Sequence, residues 1–232
     1  MNFILCVAQK KLKNLNVVLS GEYLGKSNYG KLWGSENYDW YRKIHNSNYL
    51  IHKNFKEYFS QKKDVKTVPE VGCGYGIYPI ENKELFNNLQ YTGFDISQQA
   101  IDYCKQKSDF EFICDDFIKI QWNRKFDLVF SHAVIDHVYN INSFLSKIVE
   151  STKKYAYVNS YRGYFNELKN HKQNWFENEG IYYNDISVYK TRETLLGCGL
   201  NEDEFIISSQ KSGQNDKNLD VQLCIEIQKN SV

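Results

Sequence analysis

The stretch Glu70-Val71-Gly72-Cys73-Gly74-Tyr75-Gly76 decides the reading of this chain. Val65 to Val71 leads into it as a short β-branched run, and the helical pattern beyond it carries Pro79 in its first turn, where proline is tolerated. The segment reads as strand, glycine loop, helix. Such a loop lets backbone N–H groups and a helix N-terminus approach a ligand, because glycine has no side chain to block the way. A dinucleotide-binding loop would read G-x-G-x-x-G, but here the third glycine comes one residue early, which argues against a nicotinamide cofactor. Glu70 puts an anion near the loop, where it would repel a pyrophosphate and attract an ammonium group. The expected ligand is cationic or zwitterionic.

Outward from the loop, strands and helices alternate. Apolar residues Tyr41, Ile44, Ile51, Phe55 and Tyr58 recur at helical spacing between Tyr38 and Phe59, predicting one amphipathic helix ahead of the first strand. Strands are predicted at Tyr91 to Asp95, Phe110 to Cys114, Phe126 to Ser131 and Tyr155 to Asn159, with helices at Ser97 to Lys105 and Asn142 to Ser151 between them. This alternation means βαβ units and a mostly parallel sheet covered on both faces. The C-terminal part differs: a helix near Thr191 to Cys198 precedes two strands, Glu204 to Ser209 and Asp220 to Ile227, joined by the turn-rich Ser212 to Asp216 and read as an antiparallel hairpin. Residues 161–189 fit neither pattern and hold eight aromatics, which suggests an inserted cap over a site. The expected organisation is a single domain of 232 residues: an extension and lid helix over 1–62, a core over 63–160, the cap over 161–189, and a closing helix and hairpin over 190–232.

Composition limits the partners. The 29 Lys and Arg balance 28 Asp and Glu to a net charge of +1, without the basic excess that duplex binding requires. No nucleic-acid partner is expected. Six cysteines lie scattered without a CxxC pair or zinc-ligand spacing, which fits a reducing cytoplasm and no metal. The apolar run Phe3 to Ala8, followed by Lys10-Lys11, is too short for a membrane span or signal peptide. A monomer or homodimer is expected.

The heptapeptide from Glu70 to Gly76 resembles the E/D-x-G-x-G-x-G signature of the class I S-adenosylmethionine-dependent methyltransferases. Three further stretches match that family in order: Tyr91-Thr92-Gly93-Phe94-Asp95-Ile96-Ser97, Phe112-Ile113-Cys114-Asp115-Asp116-Phe117 and Phe126-Asp127-Leu128-Val129-Phe130-Ser131. The resemblance implies an α/β, three-layer Rossmann-like fold with a seven-stranded sheet, mostly parallel, and a C-terminal antiparallel hairpin. It also implies S-adenosyl-L-methionine as cofactor, with S-adenosyl-L-homocysteine as its product. By that resemblance Gly72 and Gly74 approach the methionine portion, Cys73 and Gly76 belong to the same cofactor-binding loop, and Glu70 sits behind it and helps orient it. Asp95, beside Ile96, would accept hydrogen bonds from the ribose hydroxyls, Asp116 and Phe117 would meet the adenine, and Ser131 would end the strand beside the reactive methyl.

The acceptor is less legible. After the fourth strand, enzymes of this family that methylate base amino groups carry an [N/D/S]-P-P-[Y/F/W] tetrad; here the chain reads Ser131-His132-Ala133-Val134, and neither of its two prolines is near. The Pro-Cys of the cytosine C5 enzymes is missing too. His132 and the pair Asp136-His137 are the candidate catalytic residues, because imidazole suits general-base work and a neighbouring carboxylate can hold its tautomer. Arg162, just after the fifth predicted strand, is expected to pair with a carboxylate or phosphate of the acceptor, while Tyr161, Trp175, Tyr182 and Tyr183 stack on its face. The same resemblance would let Trp40 and Tyr41 close over the cofactor, although aromatics at that spacing more commonly pack a helix onto the core. These features predict methylation of a small polar acceptor, at oxygen of a sugar, sugar nucleotide or carboxylated metabolite, in the setting of bacterial surface-polysaccharide biosynthesis. The alternatives are N-methylation of a small amine, methylation of a protein, or a cofactor-binding regulatory subunit.

Overall fold

The computed structural model describes residues 28–213 and 220–230. The run Phe3 to Ala8, Cys6, and the turn residues beyond Gly213 lie outside them. A seven-stranded sheet is built from β1 (Thr67–Val71), β2 (Gln90–Asp95), β3 (Glu111–Cys114), β4 (Phe126–His132), β5 (Thr152–Ser160), β8 (Phe205–Lys211) and β9 (Val221–Gln228), in the order β3-β2-β1-β4-β5-β9-β8. β1 to β5 run parallel, β9 pairs antiparallel with β5, and β8 pairs antiparallel with β9. The expected hairpin therefore enters the sheet with only β9 reversed. Strand order changes direction between β1 and β4, which opens a crevice at their carboxyl ends.

Helices cover both faces. On one, Phe144, Leu145 and Ile148 of α6 (Ile141–Ser151) and Leu195 of α7 (Val188–Gly197) pack with Val129 and Ile225. On the other, Phe55 and Phe59 of α3 (Tyr49–Ser60), Tyr78 of α4 (Ile77–Glu81) and Ile101 of α5 (Gln98–Lys107) pack with Val68, Phe130 and Tyr157. Side-chain oxygens of Ser97, Asn140 and Ser187 accept N–H bonds at the starts of α5, α6 and α7, so these helices begin where the sequence places a capping residue.

Two expectations change. The single helix over Tyr38 to Phe59 is two, α2 (Tyr38–Ser47) and α3, preceded by the short α1 (Lys31–Ser35). Asn48 leaves helical geometry, its amide N–H donating to His45 O and its side-chain Nδ2 to Ile44 O, which closes α2. The segment 161–189 contains an antiparallel hairpin, β6 (Lys172–Phe176) and β7 (Ile181–Asp185), as a separate two-stranded sheet. Asn184 pins it. Its N–H donates to Asp136 O, and its Nδ2 to the carbonyls of Ile135 and Val138 at 3.0 and 2.8 Å. The hairpin turn also receives α1, through Gly30 N–H to Gly180 O at 2.7 Å and Leu32 N–H to Glu179 O at 2.9 Å.

Candidate functional site

A cavity of about 370 Å³ opens at the carboxyl ends of β1, β2 and β4, roofed by α1 and α2 and flanked by the β6–β7 hairpin. Its lining is largely aromatic and aliphatic. Of the expected cofactor residues, Glu70, Gly72, Cys73, Asp95, Ile96, Asp116 and Phe117 line it.

Backbone geometry at the loop requires glycine. Gly72 has φ +76°, and a Cβ there would lie 2.1 Å from Val134 Cγ2. The N–H groups of Gly72 and Cys73 donate to Phe94 O at 2.7 and 2.9 Å, and Gly74 N–H donates to Asp95 Oδ2 at 2.8 Å, so the loop is stapled to the end of β2. Asp95 Oδ1 accepts Ser97 N–H at 2.8 Å, and burial pushes the carboxyl above its ordinary range. Glu70 is buried, accepts the Tyr91 hydroxyl at 2.5 Å, and is pushed up to about 8 by burial, with the Asp95 charge adding to the effect. Asp116 accepts Tyr139 Oη–H at 2.8 Å and Ile118 N–H at 3.1 Å.

Three expected cofactor residues do not reach the lining. A Cβ on Gly74 would sit 2.5 Å from Tyr41 Cε1, so Tyr41 lies directly on the loop; Gly76, at φ +69°, starts α4; and Ser131 Oγ–H is spent on Val71 O at 2.8 Å. They shape the loop and the end of β4. Trp40 and Tyr41 both line the cavity from α2.

The catalytic expectations are rearranged. His132 and His137 face the cavity, but Asp136 is fully buried behind it, where it accepts from Ser160 Oγ–H at 2.5 Å and from the N–H groups of Tyr161 and Arg162 at 3.2 Å each. Burial, the largest influence, pushes its carboxyl up to about 6. It does not orient His137. A backbone carbonyl does that instead: His137 Nδ1 lies 2.7 Å from Tyr182 O, so Nδ1 carries the proton and Nε2 the lone pair. Desolvation lowers His137 to about 4 and His132 to about 3, keeping both neutral near pH 7. His132 has neither ring nitrogen to spare, since Nδ1 meets Asn159 Oδ1 at 2.9 Å and Nε2 meets the Tyr78 hydroxyl at 3.2 Å. Alone it cannot take a proton from a ligand.

Among the expected acceptor contacts, Tyr161 and Tyr183 line the cavity and Trp175 and Tyr182 do not. Pleat explains the division. Neighbours in a strand point to opposite faces, so Tyr183 and Tyr182 cannot both reach one site, and Tyr182 shares its face with its cross-strand partner Trp175, whose ring stacks on Tyr29 at 6.4 Å. Arg162 does not line the cavity either: Nε and Nη2 donate to Asp185 Oδ1 at 3.2 and 3.0 Å, closing an ion pair between the end of β5 and β7. Asp185, the partner that commits it, is brought there only by the hairpin. No Lys or Arg is among the described residues lining the cavity, and among the described residues no group of three or more His, Cys, Asp and Glu could hold a metal ion.

Sequence reasoning missed the opposite wall. His45, at the end of α2, and His52, on α3, stack with ring centroids 3.5 Å apart; Tyr78 joins them, its hydroxyl 2.5 Å from His52 Nδ1. Burial lowers His45 to about 4 and His52 well below its ordinary value. Their only signal in the sequence was two histidines seven apart on an apolar helical face, a pattern that a packed core shows equally well.

The switch-point crevice, the glycine loop and the acidic ends of β2 and β3 define the architecture of a class I S-adenosylmethionine-dependent methyltransferase. A family model described as "Methyltransferase domain" matches residues 62–220, and the chain belongs to that family. It is similar to the plantazolicin methyltransferase BpumL, solved with a triazolic desmethyl analogue and S-adenosylhomocysteine, at TM-score 0.61 and 16% identity over 96% of this chain and 99% of that one. Among curated proteins it is 30% identical over 95 residues to pavine N-methyltransferase of Thalictrum flavum subsp. glaucum, covering 38% of this chain and 27% of that protein. It is 31% identical over 87 residues to malonyl-acyl-carrier-protein O-methyltransferase 2 of Ilyobacter polytropus, covering 36% of this chain and 34% of that protein. The matches thus span about a third of these relatives. Among the described residues no helix is long and apolar enough to cross a membrane.

Proposed function

We propose that this protein transfers a methyl group from S-adenosylmethionine to a small neutral acceptor with a flat apolar body, at a hydroxyl group. The observation that carries this reading is one cavity with two chemically different ends. At one end stand the glycine loop, Glu70, Asp95 and Asp116; at the other stand aromatic rings and neutral histidines, with no Lys or Arg among the described lining residues. An acceptor bearing a carboxylate or phosphate would meet no cation among the described lining residues, since Arg162 is paired with Asp185. This favours neutral acceptors over sugar nucleotides and carboxylated metabolites.

The residues fit the cofactor. Gly72 lines the cavity with bare backbone, which suits contact with the methionine portion, Asp95 suits the ribose hydroxyls, Asp116 suits the adenine, and buried Glu70 suits a positive charge above the loop. When bound, S-adenosylmethionine supplies a methyl carbon already activated by its sulfonium. What remains for the protein is alignment of the acceptor and removal of its proton. Tyr161 and Tyr183, from the cap over 161–189, orient the flat body, and neutral imidazole takes the proton. Five described cysteines are free, in keeping with a cytoplasmic location. A second reading, N-methylation of an amine, is favoured by the similarity to the pavine enzyme.

Calorimetry and a labelled-methyl screen test this. S-adenosylmethionine and S-adenosylhomocysteine should both bind, and Asp95→Ala should weaken binding by about 1.5–3 kcal/mol, the worth of hydrogen bonds to a charged group. Methyl-labelled cofactor should label neutral aromatic alcohols, or amines on the second reading. Absence of affinity for either compound overturns the assignment; tight binding without turnover on any acceptor favours a regulatory subunit. Salt-sensitive binding of duplex DNA or RNA would contradict the small-molecule reading.

A further inference from the structure

The cavity wall opposite His137 holds a chain of hydrogen bonds whose direction is set by one backbone carbonyl. Asn48 Nδ2 donates to Ile44 O at 2.9 Å, which leaves its Oδ1 to accept Gln222 Nε2 at 3.0 Å. Gln222 Oε1 then accepts Asn159 Nδ2 at 3.0 Å, and Asn159 Oδ1 faces His132 Nδ1 at 2.9 Å. An amide oxygen cannot donate, so His132 Nδ1 carries the proton and Nε2 the lone pair. The Tyr78 hydroxyl, 3.2 Å away, must give its one proton to that Nε2. Its oxygen then presents only lone pairs to His52 Nδ1 at 2.5 Å, so His52 is also protonated at Nδ1. The chain ends on a lone pair at His52 Nε2, and His52, Tyr78 and His132 all line the cavity.

We propose that His52 Nε2 is the site that accepts the acceptor's proton, with Tyr78 and His132 as positioning residues that carry the charge away from it. This rests on the methyl-transfer reading. As the acceptor's oxygen, or its nitrogen on the second reading, forms its bond to the methyl carbon, the carbon–sulfur bond breaks with its electron pair on sulfur. The acceptor's proton passes to His52 Nε2, the His52 Nδ1 proton to the Tyr78 oxygen, and the Tyr78 proton to His132 Nε2. Both hydrogen bonds of Tyr78 survive with reversed sense, the amide links keep theirs, and the positive charge lost from sulfur reappears on His132, where Asn159 Oδ1 faces it. The chain holds one proton only, because His52 and His132 repel when both are charged. Lys56 and His45 also face His52, His45 faces His132, and Glu70 is the titratable neighbour of Tyr78. His137 lacks such an outlet: its Nδ1 proton is held by a carbonyl that cannot pass a proton on.

Nitrogen-15 NMR of the labelled protein reads the tautomers directly, without an acceptor. His52 and His132 should both carry the proton on Nδ1, and Tyr78→Phe should move His52 to the Nε2-protonated form usual for free imidazole. A wild-type His52 protonated on Nε2 overturns the proposal. With the acceptor found in the labelled-methyl screen, His52→Gln should lower kcat at least about a hundredfold, and Tyr78→Phe at least about tenfold, both with S-adenosylmethionine affinity within about twofold of wild type. Full kcat in His52→Gln, with loss instead in His137→Ala, overturns the proposal while methyl transfer stands. Wild-type protein that does not bind S-adenosylmethionine at all shows that the underlying reading has failed, and with it the role proposed for the chain.

Discussion

Glu70 shows how one buried carboxyl can report on its ligand. Held up to about 8 by burial and by the Asp95 charge, it is mostly protonated at pH 7, and a cation placed over the loop would favour its ionised form. Binding of S-adenosylmethionine at pH 7 should therefore release up to about one proton, detected as a difference in binding enthalpy between phosphate and Tris buffers. Glu70→Gln should abolish that difference and weaken binding; equal enthalpies in the two buffers for wild type would remove Glu70 from the cofactor's surroundings. The same shift has a cost in stability. An acid whose folded pKa lies above its unfolded value withdraws stability as pH rises from about 4.5 to about 8, so Glu70→Gln should also stabilise the free protein above pH 7, measurable as a raised Tm.

At the scale of elements, the hairpin of β6 and β7 owes its position to Asn184 more than to its aromatic residues. That side chain is fully buried and satisfies two carbonyls of the segment after β4, while the Arg162–Asp185 pair ties the same strand to the end of β5. Replacing Asn184 by alanine would leave Ile135 O without that partner in the interior and Val138 O with Gln173 Nε2, at a cost of about 1–3 kcal/mol. The loss should be local. Hydrogen exchange should quicken across Lys172–Phe176 and Ile181–Asp185 and stay unchanged in β1 and β4. Uniform quickening through the sheet would mean that the hairpin and the core open together. The break at Asn48 is a second case of an element placed by polar contacts: it turns α3 so that His52 faces Tyr78, and the same asparagine begins the hydrogen-bond chain.

Across the whole molecule, all five histidines are lowered, His45, His137 and His171 to about 4, His132 to about 3, and His52 well below its ordinary value, each chiefly by burial. A histidine whose folded pKa lies below its unfolded 6.5 withdraws stability as pH falls through 6.5 towards 4. Near pH 5 unfolding should take up nearly five protons on the imidazoles. Glu70 and Asp136, held at about 8 and about 6, and Asp95 and Glu226, also raised by burial, would release protons of their own, so the net uptake is smaller than the imidazoles alone would give. The protein should therefore lose stability steeply between pH 6.5 and 4, which denaturant titrations at several pH values would measure. Stability that does not fall between pH 6.5 and 4 would show that the histidines are solvated in solution.

Between Val65 and Asn159 the sequence by itself determined the architecture, because there the information is local. A β-branched run, glycines at fixed offsets, an acid at a strand end and a capping serine each act on their own few residues, and their order specifies a parallel sheet with a crevice at its switch point. The end of the cavity proposed for the cofactor is laid out locally for the same reason: Glu70, Gly72, Asp95 and Asp116, which line it, ride on strand ends whose positions the alternation already implies. The acceptor end is not, since it is assembled from segments far apart in the chain. His52 meets Tyr78 and His132 across 26 and 80 residues, Arg162 meets Asp185 only after a hairpin forms, and the pleat of that hairpin selects Tyr183 over Tyr182. Tertiary packing alone decided which of the chain's histidines and tyrosines face one another, because desolvation and hydrogen-bond direction depend on neighbours that no local spacing encodes.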